Sequence, residues 1–257
     1  MAIFNPGDQV GRYTIEALVA GAHRYECYRA TSAGRSFALK VPALENLHRN
    51  GLADDLLNQA VFLAPERCRV GRIAHYVDVF PAAGAMAVVM PFIEGRPLTE
   101  YLDPAELDWD GRMALLRALA STLDGLHAHG IVHRDVSDKN VIVDASLLPV
   151  LIDFDLSSEL PVVGDWQVSL TSGSRFFKAP EQWVGAPQDH TVDLFAFALL
   201  CAYVLGCCQP EKESHAFIDI EEFPAWLPRS VARRLEPALA RDPGRRPRTC
   251  TSILSLT

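Results

Sequence analysis

The segment from His133 to Asn140 places several chemically useful groups within one short polar loop. It contains the carboxylate of Asp135, the ammonium group of Lys139 and the side-chain amide of Asn140. A second carboxylate, that of Asp153, follows the apolar run 150–152. Transfer of a phosphoryl group needs a carboxylate near the attacking hydroxyl, oxygen ligands for Mg²⁺ and cations on the phosphates. These residue types therefore predict a phosphate-transfer site.

Strands and helices must position these groups, and the hydrophobic pattern changes character near Gly95. Before it, apolar runs bounded by turn residues predict strands, and one segment has apolar residues at helical spacing. After it, leucines on one face predict a helix at 110–129 that Gly130 ends. Two short strands follow, then an irregular segment at 155–180 and a helical remainder. The predicted early elements are strands at 13–18, 26–31, 36–41, 76–80 and 85–90, and a helix at 53–64.

Five motifs, in order along the chain, resemble those of the eukaryotic-like protein kinases. They are the V-A-I-K-like run 37–40, the catalytic loop 133–140, the DFG-like triplet 153–155, A-P-E at 179–181 and D-P-x-x-R-P at 242–247. The resemblance implies an α+β, bilobal protein-kinase-like fold. Its N-lobe, 1–94, would hold a five-stranded antiparallel sheet and one helix, and its C-lobe, 95–257, would be mostly helical. The last two motifs favour a protein kinase over a small-molecule phosphotransferase of kinase-like fold.

The resemblance also implies roles for individual residues. Lys40 would contact the phosphates of ATP, and Asp135 would act as the base or orient the attacking hydroxyl. Asn140 and Asp153 would bind Mg²⁺. Lys139 would replace the cation that Ser/Thr kinases usually carry at the position of Ser137. The position of Lys139 is typical of tyrosine kinases, which leaves tyrosine or dual specificity open, whereas Gly173-Ser174 favours Ser/Thr specificity.

The same resemblance predicts a set of nucleotide-binding residues. The loop over the phosphates would contain Ala20, Gly21 and Ala22. Apolar contacts with adenine would come from Cys27 and Ala38 above the ring, Ile142 below it, Met90 as gatekeeper and Phe92 in the linker. Each of these apolar residues fits an ordinary core position equally well.

The sequence departs from the family at three places around this site. Ala20, Ala22 and Tyr25 occupy the three positions where the phosphate loop usually has glycine. Gln59 stands where a glutamate would pair with Lys40, with Glu45 and Glu66 as other candidates. Asp155 replaces the glycine of DFG. These departures support a second interpretation, in which the chain is a pseudokinase that acts as a nucleotide-binding or scaffolding module.

Supporting and regulatory residues follow from the resemblance as well. His133 is expected to pack beneath the loop, Asp193 to hold the backbone of the loop, and Arg246 to pair with Glu181 inside the C-lobe. Arg134 is expected to bind a phosphate on the activation segment. The first candidate for that modification is Thr171, followed by Ser169 and Ser172.

Composition limits the partners and the location. The net charge of −8 argues against nucleic acid or anionic lipid as a partner. The six cysteines include no C-x-x-C pair, no signal peptide is recognisable, and the longest apolar run is too short to cross a bilayer. We therefore expect a cytoplasmic protein without membrane insertion. It would phosphorylate protein substrates that the sequence does not identify, and regulatory partners would act in trans.

Overall fold

The structure is a computed structural model that describes residues 2–21, 24–46, 52–103, 106–161, 174–206 and 228–255. The chain folds into two compact units. The first comprises Met1–Arg69 and Ala74–Glu94, and the second comprises Val70–Ile73 and Gly95–Thr257. Val70–Ile73 belong to the second unit because Ile73 forms a β-bridge with Leu151, whose N–H donates to the carbonyl of Arg72 at 2.9 Å.

The first unit is a six-stranded antiparallel sheet with one helix. The strand order is β1-β2-β3-β4-β6-β5, and helix α1 packs against β6. The predicted sheet of five strands was one strand short, because β1 has only two residues and so shows no alternation. The elements are β1 Gln9–Val10, β2 Tyr13–Gly21, β3 Tyr25–Ser32, β4 Arg35–Pro42, α1 Leu52–Phe62, β5 Asp78–Ala82 and β6 Ala85–Pro91.

One face of this sheet forms an apolar core, and its other face presents several of the predicted nucleotide residues. Tyr13, Tyr28, Leu39 and Val89 are buried in the core. Because side chains alternate between faces, the residues that flank Leu39 point the other way. The pairing register places the members of that second face opposite one another: Ala20 with Cys27, Cys27 with Lys40, Lys40 with Val88, and Ala38 with Met90.

The second unit combines short strands with helices. Its elements are β7 Arg96–Pro97, α2 Trp109–Ala128, β8 Ile131–Val132, β9 Val141–Val143, β10 Pro149–Leu151, β11 Ser158–Glu159, α3 Pro180–Val184, α4 Thr191–Gly206, α5 Arg229–Leu235 and α6 Cys250–Ser255. Strands β10, β9 and β7 form one sheet, and β11 pairs with β8. Strands β7, β8 and β11 were not predicted, since each has only two residues.

Two helices form the centre of the second unit. Asp108 caps α2 by accepting a hydrogen bond from Gly111 N at 2.8 Å, and Gly130 follows the helix with φ of +73°. The leucines of α2 that predicted the helix are fully buried, as are nearly all residues of α4. Among the described residues, no helix is both long and apolar enough to span a bilayer.

Candidate active site

The catalytic carboxylate predicted at Asp135 lies in the loop between β8 and β9. Its Oδ1 accepts a hydrogen bond from Ser174 N at 2.8 Å, and its Oδ2 accepts one from Asn140 Nδ2 at 3.0 Å. Burial raises the pKa of Asp135, and the nearby charge of Asp153 raises it further, while the bonds from Ser174 and Asn140 act in the opposite direction. The loop thus holds a half-buried carboxylate at a defined position.

The two predicted metal ligands lie beside this carboxylate. Asn140 Nδ2 donates to both the carbonyl and the carboxylate of Asp135, so its Oδ1 is the atom suited to bind a cation. The N–H of Ile152 donates to the carbonyl of Asn140 at 2.9 Å, which brings the next residue, Asp153, to the same loop. An amide oxygen and a carboxylate are the donors that Mg²⁺ accepts from proteins, so the residues present fit that ion.

Asp193, at the first turn of α4, holds the backbone of the loop. Its Oδ1 accepts from Arg134 N at 2.7 Å, and its Oδ2 accepts from His133 N at 2.8 Å and from His127 Nε2 at 2.9 Å. Burial opposes ionisation, but the hydrogen bond from His127, with the donors of the loop, holds the pKa of Asp193 below its usual value. This support matters because Arg134 has a φ of +67°, which a non-glycine residue rarely adopts.

His133 packs beneath the loop, as predicted. It is fully buried, and its ring centroid lies 4.7 Å from that of Phe154 in the DFG-like triplet. Its Nε2 lies 3.1 Å from the carbonyl oxygen of Ile152. Asp153 itself has a φ of +62°. Packing of His133 on Phe154 therefore links the catalytic loop to the backbone that carries Asp153.

The Arg134 side chain contacts neutral acceptors. Its Nε donates to Gln188 Oε1 at 3.0 Å, and its Nη1 donates to the carbonyl of Leu156 at 3.2 Å. Burial lowers the pKa of Arg134, whereas the charge of Asp193 raises it. The predicted phosphorylation sites Thr171, Ser169 and Ser172 lie outside the described residues, so the phosphate-binding role of Arg134 stays a prediction.

The end of the activation-segment-like region is fixed to the rest of the second unit. Arg246 and Glu181 form the predicted buried ion pair, with Nη1–Oε1 at 2.6 Å and Nη2–Oε2 at 2.8 Å. Gln182, which the sequence did not indicate, accepts from Ala179 N and donates to the carbonyl of Arg134, each at 3.0 Å. A buried glutamine carries no recognisable pattern, so only the structure reveals this connection to the catalytic loop.

Lys40 lies on the second face of the sheet in the first unit. Only 7% of the residue is exposed, and its Nζ lies 5.0 Å from the centre of the Tyr25 ring. Tyr25 is itself buried and begins β3. The sequence led us to expect that this tyrosine adds bulk over the nucleotide. The structure shows instead that its ring contacts the lysine by a cation–π interaction.

The other predicted nucleotide residues have mixed surroundings. Gly21 ends β2 opposite Glu26, and Ala22 lies outside the described residues. Phe92 packs against Arg29, whose Cζ lies 4.6 Å from the ring centre. In the second unit, Ile142 of β9 is half-buried, and Lys139 is exposed on the loop.

Gln59 is buried in α1, at the position predicted to face Lys40. Its Oε1 accepts a hydrogen bond from the hydroxyl of Tyr76 at 3.1 Å. The amide is neutral, so it brings no negative charge to the first unit. The pairing of Gln59 with Lys40 stays a prediction, as do the alternatives Glu45 and Glu66.

Comparison with known proteins connects this geometry to a family. Serine/threonine-protein kinase pkn2 of Myxococcus xanthus is 29% identical over 76% of this chain and 24% of its own length. The DNA damage-responsive serine/threonine-protein kinase RqkA of Deinococcus radiodurans is 30% identical over 96% of this chain and 39% of its own length. This chain therefore spans less than half of these curated relatives.

Solved structures show the same fold. The crystal structure of the Mycobacterium tuberculosis PknI kinase domain, in its C20A mutant, superposes with a TM-score of 0.73 at 23% identity. That match covers 99% of this chain and 97% of the PknI chain. The family model described as "Protein kinase domain" matches residues 22–238. The chain therefore belongs to the protein kinase family, as a eukaryotic-like member related to bacterial Ser/Thr kinases.

Proposed function

We propose that the chain is an ATP- and Mg²⁺-dependent protein kinase that phosphorylates Ser or Thr hydroxyls of protein substrates and also phosphorylates itself. The observation that carries this proposal is the placement of Asp135. Its carboxylate accepts hydrogen bonds from Ser174 N and Asn140 Nδ2, and the charge of Asp153 lies close by. Phosphoryl transfer depends mainly on such positioning and on neutralisation of charge.

Each polar residue has one role in this proposal. Asp135 orients the attacking hydroxyl and accepts its proton. Asn140 and Asp153 hold Mg²⁺, which neutralises charge on the phosphates when it is bound. Lys40 and Lys139 supply cations for the same phosphates. Asp193 keeps Asp135 in place through the backbone of the loop.

The end of the activation-segment-like region supports a protein as substrate rather than a small molecule. Glu181 is held by Arg246, and Gln182 connects the same short helix to the catalytic loop. Ser174 contacts the catalytic carboxylate directly through its N–H. A segment anchored at these points offers backbone beside Asp135 against which a substrate peptide can dock.

A pseudokinase is the second candidate, and the contact between Tyr25 and Lys40 favours it. The ring occupies one side of the ammonium group that would bind phosphate. The neutral Gln59 is the second observation in its favour. The thiols of Cys27, Cys68, Cys201 and Cys250 lie outside any disulfide, which fits the proposed cytoplasmic location.

Transfer of labelled phosphate from ATP tests the proposal. Wild-type chain with Mg²⁺ should label itself or a generic protein substrate, and Asp135→Asn should reduce the rate by about 10²–10⁴-fold, the usual contribution of a catalytic base. Asp110→Asn changes the same atoms at an exposed position of α2 and should leave the rate unchanged. Phosphoamino-acid analysis should recover phosphoserine or phosphothreonine.

Three outcomes would contradict the proposal in different ways. Nucleotide binding without any transfer would identify a pseudokinase. Label recovered only in a small-molecule acceptor would identify a small-molecule phosphotransferase. Recovery of phosphotyrosine alone would assign the other specificity. Mass spectrometry of active protein should find phosphate between 157 and 174, and its absence there would remove the proposed role of Arg134 in regulation.

A further inference from the structure

A cluster of three possible metal ligands lies in the second unit, and none of them is among the proposed catalytic or nucleotide-binding residues. It consists of Asp124 and His127 of α2 and Cys250 of α6. One ligand atom from each residue lies within 4.8 Å of the other two. Asp124 and His127 are three residues apart, which places both side chains on one face of the helix. Helix α6 packs against α2 and brings Cys250 to that face.

Among the described residues, one ring nitrogen of His127 has a hydrogen-bond partner and the other has none. Its Nε2 is hydrogen-bonded to Asp193 Oδ2 at 2.9 Å, and only 8% of the side chain is exposed. Its Nδ1 is buried and has no hydrogen-bond partner in the part of the chain that the structure describes. When Nε2–H donates to Asp193, Nδ1 carries a free lone pair. Metal-binding histidines commonly have this arrangement, in which the second nitrogen donates to a carboxylate.

The start of α6 contains Cys250 and binds Asp124 through its first N–H groups. Asp124 accepts hydrogen bonds from Cys250 N at 2.6 Å, Thr251 N at 3.0 Å and Thr251 Oγ1 at 2.7 Å. Burial raises the pKa of the Cys250 thiol, and the negative charge of Asp124 raises it further. A bound cation would supply the charge that stabilises the thiolate form of Cys250.

We propose that Asp124, His127 Nδ1 and Cys250 form a Zn²⁺ site. One sulfur, one imidazole nitrogen and one carboxylate oxygen are all ordinary zinc ligands, and a water molecule would complete the tetrahedron. On binding, the Cys250 thiol loses its proton to solvent as the Zn–S bond forms, and no electron is transferred. The ion would tie α6 to α2 and hold His127 against Asp193. This inference does not depend on kinase activity.

Cobalt provides a spectroscopic test on the chelator-treated full chain. Wild-type protein should bind one Co²⁺ per chain with a thiolate-to-cobalt charge-transfer band, and Zn²⁺ should abolish that band. The proposed Mg²⁺ ligands Asn140 and Asp153 offer only oxygen, so Co²⁺ bound there produces no such band. X-ray absorption of the zinc form should show one sulfur at about 2.3 Å and otherwise nitrogen or oxygen neighbours.

Two cysteine variants locate the site. Cys250→Ser keeps the side-chain size and should lose both the cobalt band and the increase in Tm that Zn²⁺ causes in the wild type. Cys27→Ser removes a cysteine from the first unit and should retain both. A wild type without the band, or a band that survives Cys250→Ser, would overturn the proposal. If Cys250→Ser does not fold, a zinc shell without sulfur in the wild-type X-ray absorption would still refute it.

Discussion

Replacing Asp193 with Asn should uncouple the catalytic loop from α4 while leaving side-chain volume almost unchanged. The carboxylate is fully buried and accepts three hydrogen bonds. Asparagine offers one oxygen and one NH₂ group. If the oxygen faces His133 and His127, the NH₂ meets the N–H of Arg134. In the reverse orientation, two donors lose their acceptor.

The buried hydrogen bonds of Asp193 set the magnitude of this effect. At least one hydrogen bond to a charged acceptor is lost, which costs about 1.5–3 kcal/mol. For a chain of this length that corresponds to a decrease in Tm of about 3–12 °C. The catalytic effect should be larger. Arg134 N is held by Asp193 at 2.7 Å, and the next residue is Asp135. A displacement of about 1 Å at a catalytic group can reduce the rate about 10²-fold.

Thermal denaturation and phosphate transfer on the same preparation would measure both effects. We expect Asp193→Asn to lower kcat by about 10²-fold. The KM for ATP should stay nearly unchanged, because the groups that donate to Asp193 belong to the loop and to α2 and are not assigned to the nucleotide. Asp189→Asn is the matched control. Asp189 is exposed and accepts a hydrogen bond from Thr191 N at 2.8 Å, a role that asparagine fills equally well.

This expectation would be refuted if Asp193→Asn melted and turned over like Asp189→Asn. It would also fail if the loss of activity came entirely from a higher KM for ATP. In that case Asp193 would affect nucleotide binding rather than the position of Asp135.

Three further predictions concern other contacts. Arg246→Ala should lower the free energy of unfolding by about 3–5 kcal/mol, because Glu181 is left as an unpaired buried charge. The control is Arg245→Ala at an exposed position, and equal denaturation midpoints for the two variants would contradict the prediction. Tyr25→Leu should tighten ATP binding by about 2- to 30-fold, because the free energy of a cation–π contact no longer opposes binding. Calorimetric titration would measure this change, and unchanged or weaker binding would exclude competition by the ring. Gln182→Leu should cost about 1–3 kcal/mol in chemical denaturation, since the buried N–H of Ala179 loses its acceptor, and a cost near zero would count against the connection.

The second unit was predictable where its functional groups lie close together in sequence. A strand, a polar loop and a second strand bring Asp135 and Asn140 together within a few residues, and the next strand delivers Asp153. Local order of this kind leaves a contiguous pattern in the sequence. The pairing of Glu181 with Arg246 crosses 65 residues. It was predicted only because the whole set of family motifs appeared in order.

The contacts that the sequence did not indicate have a common physical cause. Ser174 binds Asp135 through a backbone N–H, which every residue except proline carries. Gln182 and Gln188 use neutral amides that would look identical on an exposed surface. His127 Nδ1, which has no hydrogen-bond partner among the described residues, owes its surroundings to packing between helices that lie far apart in the sequence. Such contacts are set by tertiary geometry, so residue type alone does not reveal them.

Tyr25 illustrates how the structure changes the functional question. The sequence resemblance places Tyr25 in the glycine-rich phosphate loop, where a bulky side chain argues against activity. In the structure the Tyr25 ring contacts Lys40 instead. The ring and the phosphates of ATP therefore compete for the same ammonium group. A cation–π contact contributes about 0.5–2 kcal/mol, whereas a hydrogen bond between charged groups contributes about 1.5–3 kcal/mol. Phosphate should therefore displace the ring, and the cost should appear as weaker ATP binding rather than as loss of transfer.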